Sequence, residues 1–253
     1  MARNYLKHAT AFAQWLDRLE ASKVAVANPV AVIRWNMDKR YLHELLLAGF
    51  PVLPTEFVPR GDHTADLKEV LAARGWTHAV VKPVISNGSH ETFRVLATEA
   101  DDKAVQARFG RIVEGTGALV QEYVKEIEAE GAGEYGFVFM GGSFSHAVRK
   151  SPAKGDFRVQ TSYGGTTLPF EAPAELLEHA KRLYGDILEA VKPKGAQQLL
   201  YARIDGVCVD PAQPIASFQV MEVELFEPSL YMLLDPASPQ RFASCIHSFL
   251  LSV

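Results

Sequence analysis

Apolar positions along this chain switch between a spacing of three to four residues and strict alternation, and each switch marks an element boundary. Residues 5–21 set Phe12, Trp15, Leu16 and Leu19 at helical spacing, and Val24, Ala25 and Val26 predict a short strand ending at Asn28-Pro29. A helix over 38–48 closes at Gly49, and 50–55 is extended. Residues 67–74 predict the next helix, ending at Gly75; a buried strand over 78–82 and a returning one over 92–96 follow. A helix over 102–114 precedes a strand over 118–124, and 134–140 with 143–149 make a hairpin turning at Gly141-Gly142. Residues 173–188 predict an amphipathic helix, 199–209 and 217–225 paired strands, and 241–250 a final helix. Helices mixed with mostly antiparallel strands predict an α+β fold in two lobes, hinged at residues 124–130.

The last two strands carry the most informative polar pattern. Alternation in Arg203-Ile204-Asp205 and in Met221-Glu222-Val223-Glu224-Leu225-Phe226-Glu227-Pro228 places acids at every second position of one face. Asp205, Glu222 and Glu224 can then converge beside an arginine, a cluster too repulsive to bury without a positive charge. Hard divalent cations take carboxylate oxygens, and Mg²⁺ usually arrives with substrate phosphates. The same alternation also suits the wet face of a half-exposed sheet.

Composition narrows the classes. The chain has 253 residues, is 48% hydrophobic and carries a net charge of −4, with Lys and Arg scattered, so there is no basic footprint for nucleic acid. No apolar run approaches the roughly 20 residues that span a bilayer, and residues 1–13 lack a signal peptide's apolar core. Cys208 and Cys245 lie far apart without metal-type spacing, as reduced cytoplasmic thiols do. The expectation is a cytoplasmic protein with neither nucleic-acid nor membrane partners.

Other polar segments raise the nucleotide reading. Lys82 ends an apolar strand, and Ser86, Asn87, Gly88 and Ser89 follow; such a turn offers N–H groups to phosphate oxygens, though small polar turns with an edge lysine are common. Lys39 opens a helix and either reaches a phosphate or is solvated. Val120-Gln121-Glu122-Tyr123-Val124 leads into the hinge, where a strand supplies the backbone donor and acceptor that an adenine edge needs; a plain core strand would alternate identically. Glu128 or Glu134 could accept ribose hydroxyls. Residues 149–158 pack Arg149, Lys150, Lys154 and Arg158 around Pro152 and Gly155, a loop suited to clamping phosphoryl groups or developing oxyanions.

In this order, the pieces resemble the ATP-grasp superfamily and its glutathione-synthetase-like branch. Ser151-Pro152-x-x-Gly155-Asp156-x-Arg158, followed by Gly164-Gly165, is similar to that branch's arginine loop, and Glu222-x-Glu224-x-x-x-Pro228 to its Glu-x-Asn-x-x-x-Pro metal strand. Residues 30–55, with Arg34-Trp35-Asn36-x-x-Lys39 and Pro51-Val52-x-Pro54-Thr55, resemble the ring-closing ligases of cycloserine biosynthesis. The resemblance runs from residue 28 to the C-terminus.

It implies an ATP-grasp fold of two α+β lobes with the nucleotide cleft between them: 29–124 the central lobe, 125–253 the C-terminal lobe, and 1–28 a remnant of a largely absent N-terminal α/β domain. It implies that Lys39 and Lys82 hold ATP phosphates under a loop of Ser86, Asn87, Gly88 and Ser89. Gln121, Glu122, Tyr123 and Val124 would line the adenine slot, with Glu128 on the ribose. Asp205, Glu222 and Glu224 would ligate Mg²⁺, or alternatively Mn²⁺, while Arg158 and Arg203 stabilise the transferring phosphoryl group and the oxyanion. Glu224 departs from the common Asn, and Glu227 adds a further charge.

The implied activity is an ATP-dependent carboxylate–amine ligase or intramolecular cyclo-ligase. It would act through an acylphosphate on small amino-acid-like carboxylates and amines, and dimers are usual among such enzymes. Three rivals stay open: a nucleotide-binding protein without turnover because its N-terminal domain is incomplete, an enzyme that adds amino acids to proteins, and a wholly structural reading in which the charged motifs are surface and ATP with Mg²⁺ leaves the melting temperature unchanged. ATP consumption driven by free amino acids argues against the first, and preference for a peptide acceptor argues for the second.

Overall fold

Two helices open the chain: α1 (Ala9–Ser22), behind a 3₁₀ turn at Tyr5–His8, and α2 (Val30–Met37). The strand expected over 24–26 does not form; the segment is irregular and Val24 is exposed, because three apolar residues gain nothing by extending without a partner strand. Conversely, α2 has no sequence period to announce it. Val30-Ala31-Val32-Ile33 is apolar at every position, so no stripe marks a face. The computed structural model describes residues 5–129, 131–210 and 212–252. Residues 1–4 of the expected N-terminal remnant and Glu130 of the expected hinge lie outside them.

The chain divides into two units, Asp38–Lys125 and Met1–Met37 with Glu126–Val253. In the first, α3 (Tyr41–Leu47), β1 (Thr55–Val58), α4 (Leu67–Arg74), β2 (His78–Pro83), β3 (Phe93–Leu96), α5 (Lys103–Gly115) and β4 (Ala118–Glu122) follow in order. The strands form an antiparallel sheet in the order β1-β4-β2-β3. Helix ends are set by sequence. The Asp66 carboxylate accepts from the Lys68 and Glu69 N–H groups, Asp102 does the same for Ala104 and Val105, and Gly75 ends α4 in the left-handed region. Leu67 and Leu71 of α4 and Phe109 and Ile112 of α5 bury one sheet face against Val81, Val95 and Val120.

The second unit holds β5 (Glu134–Met140), β6 (Ser143–Ser151), β7 (Thr166–Pro169), α6 (Ala174–Val191), β8 (Tyr201–Cys208), β9 (Phe218–Glu224) and α7 (Ser238–Leu251). Its antiparallel sheet runs β7-β6-β5-β8-β9. On one face, α6 buries Leu176, Ala180, Leu183 and Ile187, and its Tyr184 ring stacks on Phe139 at 4.3 Å. On the other, Val138, Met140 and Leu230 form a core with Phe242 and Cys245 of α7 packed on it, and the same face carries Glu134, Lys150, Arg203 and Asp205 beside Val148. β7, four residues without alternation, is an element the sequence pattern does not reveal.

β9 is an edge strand, and two asparagines close it. Asn36 Nδ2 donates to the Val223 carbonyl at 2.8 Å, while the Leu225 N–H donates to Asn36 Oδ1 at 2.7 Å. Asn28 Nδ2 donates to the Tyr201 and Leu225 carbonyls at 2.9 and 2.7 Å, and the Leu200 N–H donates to Asn28 Oδ1 at 2.8 Å. Side-chain amides thus satisfy backbone groups that an open edge would leave unpaired. These bonds place residues 29–37 with the C-terminal unit, not with the central lobe expected over 29–124.

Candidate active site

In the Asp38–Lys125 unit the expected phosphate turn and adenine segment leave opposite ends of the antiparallel β2–β4 pair, the turn after Pro83 and the segment beside His78, while Lys82 and Gln121 share the sheet face between them. Lys39 is buried: its N–H donates to the Val84 carbonyl at 2.9 Å and its Nζ to the Ser86 carbonyl at 2.9 Å. Lys82 Nζ donates to Gln121 Oε1 at 2.9 Å, and Gln121 Nε2 to Thr55 Oγ1 at 3.1 Å. Gln121 is fully buried, so it orients Lys82 from beneath. After β2, Ser86 Oγ donates to the Pro83 carbonyl, and Gly88, Ser89 and Glu91 all have positive φ. Two of those three carry side chains, and left-handed backbone of that kind is stored where surroundings impose it, commonly at ligand-binding turns.

At the end of β4, the Glu122 N–H donates to the Pro54 carbonyl at 2.9 Å and the Tyr123 N–H to the His78 carbonyl at 3.2 Å. Pro54 has no N–H to return, so the ladder donates nothing from that residue to the Glu122 carbonyl. Val124 is buried. The expected ribose residue, Glu128, lies in a 3₁₀ turn at Lys125–Glu128, in the other unit.

In that unit, β5, β6, β8 and β9 bring Glu134, Lys150, Arg203, Asp205, Glu222 and Glu224 to one face of the sheet. A bulge explains the acids. Gly206 pairs with Val220 but Asp205 with Glu222, so Met221 is an extra residue. It lets Val220 and Val223 both bury while Glu222 and Glu224 share the opposite face.

Arg203 is the centre of the network. Its Nε donates to Asp205 Oδ1 at 2.9 Å and Oδ2 at 3.0 Å, and Nη2 to Oδ2 at 2.7 Å. Nη2 also bonds Glu224 Oε1, and Nη1 donates to the Ser229 carbonyl at 2.8 Å. Lys150 Nζ lies 2.9 Å from Asp205 Oδ1 and also pairs with Glu134. Gly136, opposite Asp205, leaves room for that carboxylate: a Cβ there would stand 2.9 Å from Asp205 Oδ1.

The charges follow from these contacts. Burial disfavours the Asp205 anion, but Arg203 and Lys150 outweigh it and hold the carboxyl below its ordinary range. Burial likewise opposes the Lys150 cation, and Asp205 and Glu134 outweigh it. Glu224 goes the other way: burial, with Glu222 and Asp205 nearby, pushes it up to about 7 despite Arg203.

The three expected metal ligands therefore differ. Among the described residues no three His, Cys, Asp or Glu side chains are grouped as a metal-binding set. Asp205, with its side chain 2% exposed, already accepts from two cations, whereas Glu224 keeps 26% exposure and a surplus of negative neighbours. Glu222 and Glu224 are the more open positions for a hard cation, but Glu224 already pairs with Arg203, so a cation would have to displace Arg203 from Glu224, and Arg203 or Lys150 from Asp205. Arg158 is held apart from this network by Asp156, at 2.7 Å, and by the Tyr163 ring, 3.7 Å from its guanidinium carbon.

Sequence reasoning passed over Glu134 as an ion-pair partner, Lys150 as a buried one, Gly136 and Tyr231. It also missed Tyr5, whose buried phenol hydrogen-bonds Glu227 while its ring packs against Phe226 at 5.4 Å. No local motif marks these positions: strand pairing assembles Glu134, Gly136 and Lys150, and Tyr5 and Tyr231 come in from 3₁₀ turns distant in sequence.

A family model described as prokaryotic glutathione synthetase, ATP-grasp domain, matches residues 45–205. The chain belongs to that family of ATP-grasp ligases, and the expected α+β ATP-grasp fold is the one observed. Cycloserine biosynthesis protein DcsG of Streptomyces lavendulae is 30% identical over 223 residues, covering 86% of this chain and 71% of that protein. A probable alpha-L-glutamate ligase of Xanthomonas euvesicatoria is 32% identical over 179 residues, covering 70% of this chain but only 56% of the relative, so the chain spans little over half of its length. The crystal structure of D-cycloserine synthetase DcsG superposes with a TM-score of 0.79 at 25% identity, covering 96% of this chain and 80% of that one. D-alanine–D-alanine ligase from Bacillus anthracis gives 0.67 at 18% identity, covering 93% and 73%, a likeness of fold alone.

Proposed function

We propose that this chain is an ATP- and Mg²⁺-dependent ligase that forms a C–N bond, within one molecule or between two, on small amino-acid-like carboxylates and amines. ATP would phosphorylate the carboxylate, and the nitrogen would displace phosphate from the acylphosphate, leaving ADP. The observation that carries this is the buried Lys150–Asp205–Arg203 network ending in Glu222 and Glu224. It is a fixed array of charge with a half-exposed acidic rim, more than a solvated sheet face requires.

Lys39 and Lys82 would hold phosphate oxygens, with the turn of Ser86, Asn87, Gly88 and Ser89 offering N–H groups. The Glu122 carbonyl and the Val124 N–H would read the adenine edge, between the side chains of Gln121 and Tyr123, and Glu128 would take the ribose. Mg²⁺ would neutralise phosphate charge from Glu222 and Glu224, with Asp205 joining if its cations shift. Arg203 and Arg158 would stabilise the transferring phosphoryl group and the oxyanion. Such chemistry rests on positioning and charge neutralisation, with no nucleophilic side chain needed. The similarity to DcsG and to the glutamate ligases supports amino-acid-like substrates, and the free thiols Cys208 and Cys245 suit the cytoplasm.

The test is ADP release across a panel of amino acids and small carboxylates, with Lys82→Ala and Glu222→Gln as variants. Turnover with at least one free substrate is expected, and Glu222→Gln should lower it by roughly a hundredfold or more, as loss of a charge-stabilising group does. ATP binding without ADP release for any substrate would defeat the ligase reading.

A further inference from the structure

Tyr231 stands in a conformation that tyrosine seldom adopts, φ 47° and ψ 34°. Left-handed backbone at a bulky residue persists only where surroundings over-determine it. Here two buried side chains tie the preceding carbonyls. Arg203 Nη1 donates to Ser229 O at 2.8 Å, and His146 Nε2 lies 2.9 Å from Leu230 O. Burial pushes the His146 pKa down, and because the Leu230 carbonyl can only accept, Nε2 is the donor there, with Ser145 Oγ 2.9 Å from Nδ1. The Leu234 N–H closes the turn on the Tyr231 carbonyl at 2.9 Å.

The result is an aromatic face against the centre of the ionic network. The Arg203 guanidinium carbon lies 5.3 Å from the Tyr231 ring centroid, while the guanidinium edges donate to Asp205 and Glu224. Edge bonds already orient a planar cation, and a ring against one face holds that plane more tightly and excludes water without competing for its N–H groups. We propose that Tyr231 is a positioning residue for Arg203, its ring locking the guanidinium plane and shielding the Arg203–Asp205 pair from water. The assignment rests on the phosphoryl-transfer role proposed above for Arg203.

Tyr231→Gly, Tyr231→Phe and the unaltered protein test it. Glycine accepts this backbone without strain, so the variant removes the ring without straining the turn, and a cooperative thermal melt confirms that it is folded. The Arg203 Nε–H signal in ¹⁵N NMR, identified by its loss in Arg203→Lys, is expected upfield and slowly exchanging in the unaltered protein and in Tyr231→Phe. In Tyr231→Gly it should move downfield and exchange rapidly. The kcat for ADP release should fall about tenfold in Tyr231→Gly (about 1.4 kcal/mol), with KM for ATP unchanged and with Tyr231→Phe restoring most of it. An unmoved Arg203 signal in Tyr231→Gly overturns the assignment, as does a moved signal with unchanged kcat. If the unaltered protein releases no ADP, the ligase reading fails instead, and the NMR signal alone decides the place of Tyr231.

Discussion

Glu224 and Gly136 show how single positions set the chemistry of this sheet. Glu224 ordinarily titrates at 4.5 but is pushed up to about 7 in the folded chain, chiefly by burial. Between those two values the folded protein keeps a proton that the unfolded chain has released, so stability falls as pH rises through this window and stays low above it. Glu224→Gln should abolish that slope, checked by comparing urea midpoints at about pH 5 and about pH 8 for both proteins. At Gly136 the obstacle is geometric. An added methyl would press on Asp205 Oδ1 at 2.9 Å and Val148 Cγ2 at 3.2 Å, and Asp205 is pinned by Arg203 and Lys150. Gly136→Ala should therefore cost about 1–3 kcal/mol in thermal unfolding and lower ADP release with it.

At the scale of elements, the helices of the Asp38–Lys125 unit were legible because their caps are written locally, as Asp66, Gly75 and Asp102 show. The acid pattern on β9 was legible too, since alternation of Glu222 and Glu224 needs no partner to be seen. What hid the network was pairing. Counting outward from the Gly141-Gly142 turn, Met140 faces Ser143 and Phe139 faces Phe144, which would put Glu134 opposite Arg149. An irregularity after Val138 shifts the register, and Glu134 faces Lys150 instead. A one-residue slip of this kind exchanges the faces of a strand, and nothing local reports it. β9 offers the converse test. Deleting Met221 removes the bulge and should drive either Glu222 and Glu224 or the valines to the wrong face. The loss of stability should exceed that of Met221→Ala, which keeps the residue count, as thermal melts of both variants would show.

For the whole molecule, the family, fold and relatives agree with the expectation drawn from motif order, and the unit boundary at residue 125 falls within the expected hinge, while the boundary at residue 37 could not be read from any motif. That earlier boundary goes with long-range bonds from Asn28 and Asn36 to β8 and β9. Nucleotide binding should appear as a global effect. ATP with Mg²⁺ at about a hundred times its Kd should stabilise by about 2.7 kcal/mol and raise the Tm by roughly 5–10 °C in calorimetry, whereas the acidic rim read as mere surface predicts no shift. The two asparagines have one more consequence. Their partners are separated from them by up to 197 positions in sequence, while residues 38–125 are continuous. During synthesis the continuous unit can complete its sheet as it emerges, but α2 has nothing to zip onto until β8 and β9 leave the ribosome. The first helices made are among the last to find their place.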